Sequence, residues 1–143
     1  MKNNSKIDIT QQGKKRTLQE SNNDDIPSWF KWAMSNAPTS HSVSVKNCQI
    51  HYLLWDGADK TERSGSILFV HGGAAHSHWW SFLAPFFLKN YKVAALDLSG
   101  MGDSGRRQEY NAGLRAEEIY GVIEDANLGR STYVIGHSFG GLM

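Results

Sequence analysis

Ser131-Thr132-Tyr133-Val134-Ile135-Gly136-His137-Ser138-Phe139-Gly140-Gly141 is the stretch on which the reading of this sequence turns. A short β-branched and apolar run ends on a glycine, and G-x-S-x-G follows at once. The pattern makes a physical demand. A strand must reverse sharply into a helix so that the Ser138 hydroxyl stands exposed above the sheet. That geometry places Ser138 at positive φ, which strands and helices avoid. The positions two before and two after must be tiny, because strand and helix backbones pass close together there. Gly136, Gly140 and also Gly141 meet that need. G-x-S-x-G alone is short and common, so its weight depends on what surrounds it.

Working outward, Ser66-Ile67-Leu68-Phe69-Val70 is a short continuous apolar run, the mark of a strand buried on both faces. Tyr91 to Leu98 is a second such run, and Ser131 to Ile135 a third. His76 to Leu88 has the apolar spacing of a helix, interrupted by Pro85. Leu114, Ile119, Val122, Ile123 and Ala126 mark one face of another helix, predicted to end near Gly129. Upstream, Ser42 to Lys46 and Gln49 to Trp55 read as a hairpin around Asn47, and Asp56 to Gly65 as a polar loop. Residues 26–38 form a short docking helix, with Pro27-Ser28 at its start, Pro38 as a stop, and Trp29, Phe30 and Trp32 as the docking side chains. Residues 1–25 carry only isolated apolar side chains and are expected to be a disordered polar tail. Hairpin, then β-α-β-α-β, predicts an α/β fold: a mainly parallel sheet with right-handed crossovers and helices on both faces.

A second chemical signal opens where Val70 ends its strand. His71-Gly72-Gly73-Ala74 lets a backbone approach a substrate closely. Acyl transfer builds negative charge on a carbonyl oxygen, and N–H groups must be waiting for it. A tight turn between strand and helix would use the same residues, and both uses can hold together.

From about Pro27 to Met143 the sequence resembles the first half of an α/β-hydrolase. The H-G-G loop, the segment Leu96-Asp97-Leu98-Ser99-Gly100-Met101-Gly102-Asp103-Ser104 and the G-H-S-F-G-G elbow occur in the order of that family. Met101 departs from it, since many members carry His or Phe between the two glycines. The resemblance implies a serine hydrolase cleaving an ester, amide or related carbonyl bond, with no cofactor. Ser138 would be the nucleophile, and the backbone N–H groups of Phe139 and of Gly73, or Ala74, the oxyanion donors. Haloalkane dehalogenases and soluble epoxide hydrolases of the family place Asp at this position, so Ser138 points away from them. The family order is Ser, then Asp or Glu, then His. The triad acid and base are therefore expected beyond Met143. On this reading 26–143 is the N-terminal part of the domain, truncated after the elbow and inactive alone. The alternative is a non-catalytic binding module on the same fold.

Other constellations compete less well. Gly100-Met101-Gly102-Asp103-Ser104-Gly105 fits G-x-G-x-x-G, but Arg106 to Gly113 is polar, so no helix should open inside it to meet a pyrophosphate. His71, His76 and His78 lack a neighbouring carboxylate, so no metal is assigned. Asp97 reads as a loop organiser and His71 as structural. His137 is expected to point away from the elbow as a packing or hydrogen-bonding histidine, and Arg106 and Arg107 to form a solvated pair. A net charge of +1, from 15 basic and 14 acidic residues, favours neither nucleic acid nor anionic membrane. The lone Cys48 cannot form an internal disulfide, and there is neither an apolar signal segment nor a span. The sequence thus predicts a soluble, cytoplasmic protein with a small-molecule substrate, its oligomeric state left open.

Overall fold

The computed structural model describes residues 26–56 and 63–143. The expected tail, 1–25, and most of the polar loop after Asp56 lie outside the described residues. In chain order the elements are α1 (Ser28–Ser35), β1 (Thr39–Val45), β2 (Cys48–Trp55), β3 (Gly65–Val70), β4 (Tyr91–Leu96), α2 (Ala112–Asp125) and β5 (Thr132–Gly136). The five strands form one sheet in the order β1-β2-β4-β3-β5. β3 pairs parallel with β4 on one side and β5 on the other; β2 pairs antiparallel with both β1 and β4. Only β2 runs against the rest, so the sheet is mainly parallel, as expected.

The predicted hairpin is present, with its turn at Lys46-Asn47. Both residues have positive φ, 46° and 61°. Two left-handed residues make a type I′ turn, whose twist matches that of the flanking strands. The pairing extends the first strand back to Thr39, because Thr39 and Ser40 register against Leu54 and Leu53.

Burial on both faces follows from the pleat. Leu68 and Val70 of β3 turn to one side with Ile50, Tyr52, Ala94 and Leu96, and Val122, Ala126 and Leu128 close that layer. Ile67 and Phe69 turn to the other side with Leu53, Trp55, Val93 and Ala95, beneath Trp80 and Ala84. Helices therefore do lie on both faces. α1 docks through its aromatics, with Trp32 against Phe86 at 4.9 Å and Phe30 against Phe82 at 6.4 Å between ring centroids.

Two expectations about these elements are corrected. The segment 76–88 is not one helix. It makes two separate 3₁₀ turns, Ser77–Trp80 and Ala84–Phe87. Pro85 has no N–H to bond back to the preceding turn, and its ring obstructs an α-helical continuation. β5, expected as a third buried strand, is exposed: Tyr133 is 60% and Ile135 39% accessible. It is one of the two edge strands, and α2 lies over β1 and β2, at the other edge, instead. An apolar run states that a strand wants cover on both faces; it does not state which part of the molecule supplies it.

Candidate active site

β3 and β5 run parallel and end side by side, Val70 opposite Gly136, so the loops that leave them share one edge of the sheet. After β5 the chain turns at once. Ser138 has φ 50° and is exposed, and residues Ser138–Leu142 wind into a 3₁₀ turn. His137 N–H donates to the Val70 carbonyl at 3.0 Å and Gly140 N–H to the His137 carbonyl at 2.9 Å. These bonds fasten the turn to the end of β3. A Cβ on Gly136 would strike the Gly140 carbonyl, and one on Gly140 would sit 2.6 Å from the carbonyl oxygens of both Val70 and His71. The backbones do pass as closely as the glycine spacing demanded. Ser138, between these two glycines, is left exposed at the bend.

Gly73 lies across from the turn, where a Cβ would reach Phe139 Cβ at 3.9 Å. Ala74 beside it is left-handed, with φ 57°. Gly73, Ala74, Trp79, His137 and Ser138 line a hollow of about 270 Å³. A larger hollow, about 500 Å³, lies between Cys48 and the Arg106–Glu109 segment, well away from Ser138. The candidate site is the smaller one, because a bent-out hydroxyl and a glycine loop meet there. His137 packs as expected, but its expected direction is corrected. It does not turn away but shares this hollow, its ring stacked at 6.2 Å on Trp79 and its Nδ1 packed over Gly72. Sequence spacing could not reveal this, since Trp79 reaches it from a different loop.

Beneath the loops sits a polar framework. His71 is buried; its Nε2 accepts from Leu98 N–H at 3.1 Å, so its Nδ1 carries the proton that is donated to the Gly72 carbonyl at 2.7 Å. Burial holds this imidazole below its usual pKa, which suits a neutral structural clasp. Asp97, 1% exposed, organises loops as expected. Its carboxylate accepts from Ser77 N–H, from Asp103 N–H at 2.9 Å and from His51 Nδ1 at 2.8 Å. Burial pushes the Asp97 pKa up, but the donated N–H groups win and leave it below the usual carboxylate range. Ser104 Oγ donates to the Asp97 carbonyl at 2.6 Å and accepts from His51 N–H at 2.8 Å. The loop 100–105 thus wraps Asp97, with Gly102 at φ 51° and too close to the carboxylate to carry a Cβ. No helix opens within it; α2 begins only at Ala112, capped by the Asn111 side chain. The dinucleotide pattern is therefore a folded loop.

A second buried cluster braces the same region from the other face. Glu118, fully buried, accepts from Arg107 Nε at 2.7 Å, Arg115 Nη1 at 3.2 Å and Ser99 N–H at 3.0 Å. Arg107 also donates to the Val45 and Lys46 carbonyls at 2.7 and 2.9 Å. Its expected solvation is corrected: the hairpin turn supplies acceptors that a linear reading does not place near it. Burial raises the Glu118 pKa, yet the Ser99 and Arg107 donors and the Arg115 charge set it below the ordinary value.

The metal reading of the histidines has no support in the geometry, since both ring nitrogens of His71 are engaged. Among the described residues His51, Asp97 and Asp103 do bring ligand-type atoms within 4.8 Å. The His51 Nδ1 proton and Asp97 already satisfy each other, so that set is a hydrogen-bond network. No helix among the described residues is long and apolar enough to cross a membrane.

Comparison with known proteins agrees with this architecture. The model of a family described as alpha/beta hydrolase fold matches residues 65–143. A Haemophilus influenzae protein named "Putative esterase/lipase" is 30% identical over 98 residues, covering 68% of this chain and 32% of the relative. The crystal structure of a membrane phospholipase A, described as a bacterial virulence factor, superposes with TM-score 0.63 at 33% identity, over 79% of this chain and 34% of that one. Epoxide hydrolase A from Mycobacterium thermoresistibile gives TM-score 0.62 at 21% identity, over 73% of this chain and 33% of that one, a likeness of fold alone. The chain thus spans about a third of the length of these relatives.

Proposed function

The chain belongs to the alpha/beta hydrolase fold family, and from that premise we propose that the full-length protein is a serine hydrolase acting on an ester, amide or related carbonyl bond of a small molecule. One observation carries the reading: Ser138 stands exposed at φ 50° on a glycine-flanked bend, beside the Gly72–Gly73 loop. A strained backbone of this kind costs about 1–3 kcal/mol and persists where the surroundings enforce it, as Val70 and His137 do here.

In the proposed reaction Ser138 Oγ attacks the substrate carbonyl carbon. We assign the oxyanion that forms to the N–H groups of Phe139, the residue after Ser138, and of Gly73, which lines the hollow. A serine hydroxyl is too weakly acidic to attack unaided and needs a histidine oriented by a carboxylate. His71 is not that base, because both its nitrogens are committed. His137 is packed on Trp79 and Gly72. In the order of the family the acid and then the base follow the serine, so we assign both to residues downstream of Met143. The named esterase/lipase and phospholipase relatives favour ester substrates over the other bond types.

The test is a fluorophosphonate probe on the full-length protein, with the label located by peptide mass. We expect one stoichiometric label at Ser138, and loss of ester hydrolysis by at least about 10³-fold in Ser138→Ala. A folded, cooperatively melting protein that takes no label at Ser138 would instead be a binding module.

A further inference from the structure

The far side of the sheet, at β1 and β2, holds a second arrangement of serine, histidine and carboxylate that is separate from Ser138. His51 lies in β2 and Ser40 in β1. His51 Nε2 is 2.8 Å from Ser40 Oγ, and His51 Nδ1 is 2.8 Å from Asp97 Oδ2. The histidine and the carboxylate are buried, whereas Ser40 is exposed, on the strand that forms that edge of the sheet.

The proton positions follow from the partners. The Asp97 carboxylate is ionised and can only accept, since Ser77 and Asp103 N–H groups also point at it. His51 Nδ1 must then carry a proton. In the neutral imidazole Nε2 is bare, and Ser40 O–H donates to it. A buried acid thus fixes the tautomer of a histidine, and the bare Nε2 of that histidine accepts a hydrogen bond from an exposed hydroxyl. Those are the three roles that activate a serine. Asp97 is held by two loops and His51 by its strand, so neither can turn away without breaking further bonds.

We propose that Ser40 is a second activated nucleophile of this protein, acylated by small activated esters with His51 as general base and Asp97 as its positioning residue. Ser40 Oγ attacks the ester carbonyl carbon while its proton passes to His51 Nε2. The acyl–oxygen bond to the leaving group breaks as the new Oγ–acyl bond forms, and the proton leaves with the departing alcohol or phenol. An exposed strand edge offers little apolar wall for a long acyl chain, so short acyl donors are the fitting class.

The proposal does not depend on Ser138 being a nucleophile, and its test removes that residue. The full-length Ser138→Ala protein is treated with p-nitrophenyl acetate, and acetylated peptides are quantified with time by mass. Ser40 is expected to acetylate at least about 10²-fold faster than Ser42 or Ser44 on the same strand, the usual contribution of a positioned base. Ser40→Ala removes that product, and the urea midpoint falls only by what the loss of one hydrogen bond to His51 Nε2 explains. His51→Gln lowers the rate by a similar factor. Should His51→Gln fail to fold, the comparison with Ser42 and Ser44 in the otherwise unaltered chain still decides. Acetyl groups confined to lysines, or Ser40 reacting no faster than its neighbours, would overturn the proposal.

Discussion

Gly140→Ala tests whether the close passage of two backbones is what aims Ser138. A Cβ at residue 140 would stand 2.6 Å from the carbonyl oxygens of Val70 and His71, and ordinary contact begins near 3.4 Å. Both obstacles are main chain at the end of β3, so no rotamer change relieves them. The turn and the strand end must part by about 0.8 Å, an overpacking that costs about 1–3 kcal/mol. That displacement acts directly on the residue whose N–H we assign to the oxyanion, since Phe139 precedes Gly140. A misplacement of this size costs about 10²-fold in rate where reacting atoms must be aligned. Gly73→Ala is the control for stability, because its Cβ would meet only Phe139 Cβ, at 3.9 Å. In the full-length protein the second-order rate of fluorophosphonate labelling at Ser138 is measured beside the urea midpoint. We expect Gly140→Ala to lose about two orders of magnitude in labelling while melting earlier, and Gly73→Ala to keep the wild-type urea midpoint. If Gly140→Ala labels at the wild-type rate with an unchanged midpoint, the packing argument for the elbow is wrong.

Three further outcomes follow from the framework beneath the site. Glu118→Gln leaves the guanidinium groups of Arg107 and Arg115 buried without their carboxylate, and should cost about 3–5 kcal/mol by urea unfolding; a loss below about 1 kcal/mol would show that water reaches the cluster. Asp97 and Glu118 both have folded pKa values below their unfolded ones, so the stability they add is complete above the ordinary carboxylate range and drains as pH falls through the folded values. Urea midpoints taken from pH 7 downward should therefore hold, then fall in the acid range, and less steeply in Glu118→Gln; identical acid limbs would remove Glu118 from this account. Tyr52→Phe deletes the 2.6 Å hydrogen bond to Asp125 that ties β2 to the end of α2, and should cost about 1–2 kcal/mol; an unchanged midpoint would mean that the exposed Asp125 is no better a partner than water.

What could be read in the residues, and what could not, divides along a physical line. The elbow was legible because its constraint is local: a hydroxyl flanked by glycines two residues away describes a bend, and φ 50° at Ser138 is that bend. The two-sided strands were legible because the pleat alternates, so a continuous run such as Ile67 to Val70 states cover on both faces. Pro85 announced the break in the segment after the H-G-G loop, since a residue without an N–H cannot continue a helix. The polar clusters obey no such local rule. Arg107 meets the carbonyls of Val45 and Lys46 across some sixty residues, and His51 meets Asp97 across nearly fifty. Both depend on strand register and loop path, neither of which composition encodes. Yet these hidden bonds hold the legible part in place. Asp97 fixes Ser77, at the start of the turn that carries Trp79 to the hollow, and His71 clamps the end of β3 to the end of β4. The motif specifies which hydroxyl is presented; the buried carboxylate and imidazole, which no motif names, determine what the hydroxyl faces.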